Sequence, residues 1–226
     1  DVTASKELTE LPAKSFVFRA PAWSPGSERM AYVDQDSQGG NAIFVADANG
    51  ENSQLIAQVG EKTAFLWSPS REQIALLDTD DPFDSFYKTL KIVELKNKTV
   101  RTLTTESILA FFWSLNGENV AYMASNPLAR RLSLKVVALE GQPRKLADFL
   151  PSDPLLNMML FFDQYAYSNS LWPPDSRHLV LTSQLTPVTN GSNGAPDGNQ
   201  VFVIDVDNPA APNMIAEGPL AFWSWN

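Results

Sequence analysis

The sequence contains no cysteine and a single histidine, His178. Without cysteine there is no disulfide framework, no thiol catalysis and no cysteine-ligated zinc, and both the cytosol and an oxidising bacterial envelope remain compatible with the composition. One histidine cannot build a histidine-rich zinc site. Because His178 follows a Pro-Pro-Asp-Ser-Arg turn, we interpret it as a surface residue and expect neither a metal site nor a cofactor.

Known catalytic and phosphate-binding motifs are also missing. There is no Gly-x-Ser-x-Gly turn to carry a Ser-His-Asp triad, no Gly-x-Gly-x-x-Gly and no Gly-Lys-Ser/Thr phosphate loop. Paired carboxylates for glycoside hydrolysis stay open as an alternative, since acidic residues are plentiful. The sequence therefore favours a protein that is not an enzyme.

Basic residues and long apolar runs are scarce. The formal net charge is -9, which argues against nucleic acid as a partner because such binding depends on Lys and Arg neutralising phosphates. The longest apolar cluster, residues 155–162 with Asn157 inside it, is far shorter than the roughly 18 to 20 residues that a membrane-spanning helix needs. We expect no membrane insertion.

A tryptophan-centred motif recurs along the chain, and successive motif tryptophans are 44, 46, 59 and 51 residues apart. That spacing is close to the roughly 40 to 50 residues of a four-stranded propeller blade. Each motif precedes β-rich runs that predict second and third strands. A large ring at the end of the innermost strand fills the gap between neighbouring blades. We therefore interpret as structural packing residues Trp23, Trp67, Trp113, Trp172 and Trp223.

The repeat pattern is Trp-Ser-Pro-x-x-x-x-hydrophobic-Ala followed by hydrophobic-Phe/Val-Val-hydrophobic-Asp, and it resembles the TolB-like, or WD40-like PD40, β-propeller family. The resemblance covers nearly the whole chain, although Leu115 replaces the proline in the third repeat, and Pro173 and Val180 replace the serine and alanine in the fourth. It implies an all-β propeller of four-stranded antiparallel blades. It also implies a protein-interaction module of the bacterial periplasm or extracellular space.

We predict one propeller domain over residues 1–226, with four complete blades and partial blades at both ends. The blades are expected at about 17–57, 63–104, 109–147 and 166–216, with a terminal first strand at 219–225. Residues Lys6 to Pro12 resemble a fourth strand. Because the start has neither an initiator methionine nor a signal pattern, we interpret the chain as a mature or trimmed product. Upstream residues or a second chain are expected to complete the ring.

Loop lengths differ between the two faces of such a disc. Strands in a blade alternate direction, so first-to-second and third-to-fourth turns share one face, here termed the short-turn face. Second-to-third turns and blade-to-blade links share the other, termed the long-loop face. The long connections, residues 34–41, 78–89, 148–164 and 184–199, all fall on the long-loop face. Since long loops on a rigid scaffold usually carry binding function, this is the candidate functional face.

The long-loop face is rich in acidic residues, so we predict a protein or peptide partner with a basic surface. Loop acids that only keep the protein solvated are the alternative. Two acidic loops, residues 34–40 and 78–84, could also offer carboxylates to calcium but lack the EF-hand spacing, and we assign no metal site. The predicted partner-binding residues are Asp78, Asp80, Asp81, Asp84, Met158, Met159, Phe161, Phe162 and Asp163.

The segment 148–165, termed the insert, is strongly apolar at a position where a short polar link would suffice. Pro151 and Pro154, with Ser152 or Asp153 as a cap, predict a short helix packing over the disc. Two interpretations stay open, namely a lid that buries its own apolar face and a Met- and Phe-rich patch that binds a partner.

Three function classes follow from these features. The leading one is a non-catalytic protein-interaction module. The second is the propeller domain of a larger hydrolase, as in prolyl-oligopeptidase relatives. The third is a carbohydrate-active propeller with carboxylates at its central channel.

Overall fold

The computed structural model of the chain describes residues 21–185 and 199–224. These residues form fourteen β-strands in two antiparallel sheets and two short helices. No helix among them is long and apolar enough to cross a membrane. The predicted strand at 6–12, most of the predicted long loop at 184–199 and Trp225 lie outside the described residues.

The first sheet contains four strands of the first repeat in sequence order. Its second and third strands pair over seven residues, from Arg29 opposite Asp47 to Gln35 opposite Asn41. Ile43 and Val45, two residues apart and therefore on one side of their strand, pack into a core cluster shared with the second sheet. The strands are β1 (Ala22–Trp23), β2 (Arg29–Gln35), β3 (Asn41–Asp47) and β4 (Gln54–Gln58).

The second sheet is a single antiparallel meander of ten strands, each hydrogen-bonded to the strand before and after it in sequence. The strands are β5 (Lys62–Trp67), β6 (Gln73–Thr79), β7 (Tyr87–Glu94), β8 (Thr99–Trp113), β9 (Asn119–Asn126), β10 (Arg131–Ala138), β11 (Arg144–Pro151), β12 (His178–Leu185), β13 (Gln200–Asp205) and β14 (Asn213–Glu217).

Two strands of this sheet change partner along their length. β8 pairs with β7 over its first half and with β9 from Ile108 onward, and β11 passes from β10 to β12 at Phe149. The hydrogen-bond ladder therefore runs continuously through the later repeats and does not itself mark where one repeat ends and the next begins. The physical reason is visible in β8, where no glycine or proline interrupts residues 99–113.

The fourth repeat lacks a regular first strand. Turns occupy residues 166–169, so only residues 170–172 remain ahead of two consecutive prolines, and Leu171 O in this stretch accepts a hydrogen bond from Val180 N of β12. Ser170 forms an isolated bridge with Trp223. Among the described residues, the predicted terminal strand at 219–225 is therefore reduced to that bridge.

The motif tryptophans connect consecutive repeats by hydrogen bonds as well as by packing. Trp67, Trp113 and Trp172 are buried, whereas Trp23, the first of the series, is 47% exposed. The indole N–H of each buried tryptophan donates to the backbone carbonyl just before the preceding motif tryptophan. The bonds run from Trp67 to Ala22, from Trp113 to Leu66 and from Trp172 to Phe112, at 2.8, 3.3 and 3.0 Å.

Candidate interaction surface

Asp78 lies beneath the acidic loop and not on its surface. It is only 6% exposed, and its carboxylate accepts hydrogen bonds from Lys91 Nζ and from the backbone N–H of Gly60, both at 2.7 Å. A buried carboxylate that already has a cation and a backbone donor contributes to the fold and is not free to contact a partner. We therefore correct the prediction that placed Asp78 in the partner-binding site.

In the loop that follows, residues 80–86, Asp80 and Asp81 are exposed. Asp81 accepts from Phe83 N at 2.9 Å. Asp84 pairs with Lys88 at 2.6 Å and accepts a hydrogen bond from the backbone N–H of residue 86. Both bonds lower the pKa of Asp84, and the bond from Lys88 has the larger effect. The turns project Phe83 into solvent with 93% of its surface exposed.

Phe83 was not predicted as a site residue, and neither was Leu128. Leu128 lies in the turn between β9 and β10, the equivalent connection of the next repeat, and is fully exposed. That turn is stabilised by Asn126 Oδ1, which accepts from Ala129 N at 3.3 Å. The signal that could have found both residues is an apolar side chain placed one or two positions after an Asx residue or proline in a turn.

The other loop considered for calcium, residues 34–40, uses its carboxylate in a turn. Asp36 accepts from Gly40 N, Gln38 N and Gln58 Nε2 at 2.9, 2.8 and 2.7 Å. These bonds, that from Gly40 foremost, lower the pKa of Asp36. Within residues 21–185 and 199–224, no three His, Cys, Asp or Glu side chains are grouped so as to hold a metal ion.

Helix α1 (Asp153–Leu160) begins where the sequence indicated. Ser152 is the N-cap, and its hydroxyl oxygen accepts from Leu155 N at 3.2 Å. The same hydroxyl donates to the carbonyl of Pro219, which ties the start of the insert to the C-terminal segment. α1 ends at Leu160 with Phe161 as its C-cap, and a second helix of one turn, α2 (Phe162–Tyr165), follows at once.

One side of the insert is part of the main core. Leu155, Met158 and Met159 are spaced i, i+3 and i+4, so they share a face of α1, and Phe162 at the start of α2 is buried with them. The ring of Phe162 meets that of Phe111 edge-on at 5.1 Å. Met158, Met159 and Phe162 are therefore unavailable to a partner, which corrects their predicted role and matches the lid interpretation for this side.

The opposite side of the insert faces solvent. Leu156, Leu160 and Phe161 are 36%, 54% and 48% exposed, and Tyr165 is similarly open. Phe161 is thus the one predicted apolar site residue that reaches the surface. We term this surface the insert patch, comprising Asp153, Leu156, Leu160, Phe161, Asp163 and Tyr165.

Asp163 lies half-buried in the first turn of α2. Burial raises the pKa of its carboxyl above the ordinary value, and hydrogen bonds from its own backbone N–H and from Gln164 N only partly offset this. No ion pair to Asp163 is found within the described residues. The carboxylate is therefore partly desolvated, and within the described residues only backbone N–H groups bond to it.

The end of the insert is attached to a distant strand. The Tyr167 hydroxyl accepts from Trp67 N at 2.8 Å and donates to Trp67 O at 3.3 Å. Burial raises the pKa of Tyr167 to about 12, so the hydroxyl remains a donor at neutral pH. Since Trp67 is the last residue of β5, the edge strand of the ten-stranded sheet, this contact ties the end of the insert to that edge.

A second polar cluster, centred on Glu106 in β8, was not predicted. Glu106 accepts from Tyr122 Oη at 2.6 Å, from Thr104 Oγ1 at 3.0 Å and from Lys135 Nζ. Burial alone would raise its pKa, but the bonds from Lys135 and Tyr122 outweigh that effect and lower it. Burial, followed by the bond to Glu106, raises the pKa of Tyr122. The cluster joins three strands of the ten-stranded sheet.

Comparison with known proteins gives structural likeness only. No protein-family model matches the sequence, and no curated protein matches it. An oligogalacturonate lyase in complex with manganese matches with a TM-score of 0.62 and 12% identity, covering 94% of this chain and 56% of the lyase. A putative TolB from Agrobacterium tumefaciens matches with a TM-score of 0.51 and 14% identity, covering 87% of this chain and 64% of that protein.

A third similar structure is the β-propeller domain of the Trilobed protease from Pyrococcus furiosus, described as having an open velcro topology. Its TM-score is 0.55 at 11% identity, with 87% of this chain and 56% of that chain covered. The chain thus spans less than two thirds of the length of the structures it matches. These likenesses, together with the antiparallel sheets, confirm the predicted all-β, TolB-like β-propeller fold.

Proposed function

We propose that the chain is a non-catalytic protein-interaction module, which binds a protein or peptide through the long-loop face. The observation that carries the proposal is the two-sided insert, whose inner side is anchored in the core while Leu160 and Phe161 remain about half exposed. Apolar side chains held open on a rigid scaffold favour binding, because little conformational entropy is lost when a partner covers them. Asp80, Asp81 and Phe83, exposed on the acidic loop of the same face, are included in the proposed surface.

In this proposal the repeats are four-stranded blades of the PD40 type, four complete with partial blades at both ends, and their first strands line a central channel. The insert then lies at the channel side of β5 and β8. Residues beyond this chain, or a second chain, complete the ring. All five residues of β14 are exposed, which supports the proposal that the blade next to this strand is incomplete. We place the protein in the bacterial periplasm or outside the cell, by resemblance to TolB-like propellers.

Two alternatives each have one observation in their favour. The likeness to the propeller domain of a protease favours a domain of a larger, prolyl-oligopeptidase-like hydrolase. The likeness to an oligogalacturonate lyase favours a carbohydrate-active propeller with catalytic carboxylates. A hydrolase domain encoded in the same gene would establish the first, and release of unsaturated oligogalacturonates by the purified chain would establish the second.

A random peptide library displayed on phage tests the interaction module without assuming the partner. Selection on the wild-type chain is compared with selection on two variants of the long-loop face, Asp80→Lys/Asp81→Lys and Leu160→Ser/Phe161→Ser. We expect peptides that bind the wild type and lose at least about tenfold in affinity for one or both variants. A variant of the short-turn face, Arg71→Ala, serves as the control and should bind them like the wild type. Peptides that bind all four proteins equally, or no enrichment at all, would contradict the proposal.

A further inference from the structure

The insert patch combines apolar surface with carboxylates in a stretch devoid of cations. Residues 146–176 contain four aspartates and no Lys, Arg or His. In α1, Asp153, Leu156 and Leu160 are spaced i, i+3 and i+7 and therefore lie along one helix face, and all three are exposed. The patch is thus an apolar stripe with acidic residues near both of its ends.

Asp163 is half-buried and therefore differs from a fully hydrated surface carboxylate. Its carboxylate has lost part of its hydration through burial, and only backbone N–H groups bond it within the described residues. The electrostatic attraction between such a carboxylate and an incoming Lys or Arg is stronger than that of a fully hydrated surface acid. Asp84 and Asp78 differ in this respect, since Asp84 is paired with Lys88 and Asp78 with Lys91.

We propose that the insert patch binds a cationic amphipathic helix of a partner protein, with the helix's apolar side chains packed on Leu156, Leu160 and Phe161 and its Lys or Arg residues near Asp153 and Asp163. This inference rests on the proposed interaction function and adds to it the site and the chemistry of the partner. A helix fits because an apolar stripe on α1 presents ridges at i and i+4 that a second helix accommodates between its own side chains.

Charge argues against a second copy of the chain as the occupant. In a twofold dimer the same patch would meet itself, which would oppose the carboxylates of two chains that each carry a formal net charge of -9. Like charges brought together in this way disfavour association. A cationic partner instead gains from attraction before contact and from neutralising Asp163 on contact.

The test uses the full chain and two synthetic peptides of about 15 residues with the same amphipathic spacing. One carries Leu and Lys, and the other carries Leu and Glu. Binding of each labelled peptide is measured by fluorescence anisotropy at low and physiological salt. We expect the Leu/Lys peptide to bind and the Leu/Glu peptide not to bind, with affinity that falls as salt increases.

Variants then locate the binding. Leu160→Ser/Phe161→Ser is expected to lower the affinity for the Leu/Lys peptide by about tenfold or more, since two apolar contacts are lost. Asp163→Asn is expected to lower the affinity for this peptide by roughly threefold and to make the affinity less dependent on salt. Leu128→Ser removes a fully exposed apolar side chain from the turn between β9 and β10 on the same face and is the control, with unchanged affinity expected. Circular dichroism and thermal unfolding confirm that each variant is folded.

Several outcomes would overturn the inference and leave the interaction function standing. One is equal binding of the Leu/Lys peptide to the wild type and to Leu160→Ser/Phe161→Ser. Another is a loss in Leu128→Ser as large as in the insert variants, which would move the site to the turn between β9 and β10. A third is equal binding of the acidic and basic peptides. The interaction function itself is judged by the library selection, which presupposes no charge in the peptide.

Discussion

Replacing Trp172 with phenylalanine tests the hydrogen bonds that join consecutive repeats. Trp172 is fully buried, and its indole N–H donates to Phe112 O at 3.0 Å. Loss of that bond costs about 1 kcal/mol. The smaller ring leaves roughly 40 Å³ of space, worth about 1 kcal/mol at 24 cal/mol per Å³. The lost apolar area adds about 1 kcal/mol. We therefore expect Trp172→Phe to lower the free energy of unfolding by about 3 kcal/mol.

For a chain of this size, that loss corresponds to a decrease of roughly 6 to 12 °C in the midpoint of thermal unfolding. Differential scanning calorimetry measures it directly. Trp23→Phe makes the same chemical change at the motif tryptophan that is 47% exposed, and it should cost less than about 1 kcal/mol. If the two variants were destabilised equally, the reasoning that the indole bonds hold neighbouring repeats together would be refuted.

Three further predictions concern polar groups. Tyr167→Phe removes the hydroxyl that bonds Trp67 N and O; it should cost about 1 to 2 kcal/mol and speed hydrogen exchange in residues 153–169, and unchanged exchange there would contradict the attachment. Glu106→Gln should cost about 1 to 3 kcal/mol at neutral pH. Because the folded pKa of Glu106 is lowered, that contribution is present above the unfolded pKa and disappears as the pH falls through the folded value, so urea unfolding of variant and wild type should converge in acid. The pKa of Asp163 is raised in the folded state, so the folded state binds its proton more tightly than the unfolded chain and stability falls as the pH rises above about 3.8. Asp163→Asn should therefore stabilise the protein at neutral pH and have no effect near pH 3, and a stabilisation that persisted at pH 3 would have another cause.

The repeat spacing was sufficient to predict strands and their antiparallel order, because each motif places a large apolar residue just ahead of a turn. The N-cap at Ser152 could also be predicted from local sequence, since a serine before a proline-containing first turn favours a helix start. The continuity of β8 was less apparent. Whether a strand ends or bends between repeats depends on register and on packing of the neighbouring strand, which local sequence does not specify.

The candidate site was predicted only in part. The spacing of Leu155, Met158, Met159 and Phe162 already indicates one helix face, which favours the lid interpretation for these residues over their assignment to the binding site. Asp78 shows a different limit, because its pairing with Lys91 is cross-strand and depends on a register that the sequence does not reveal. The exposure of Asp80, Asp81 and Phe161 agrees with their assignment to the surface, but their binding role remains a prediction.

Hydrogen exchange on the chain, with and without a peptide recovered from the library selection, tests the central claim most directly. The account predicts slower exchange in the acidic loop at 80–86, in the insert at 153–165, or in both. It also predicts unchanged exchange in the short turns at 24–28, 68–72 and 114–118. Slower exchange confined to those short turns would contradict the assignment of binding to the long-loop face.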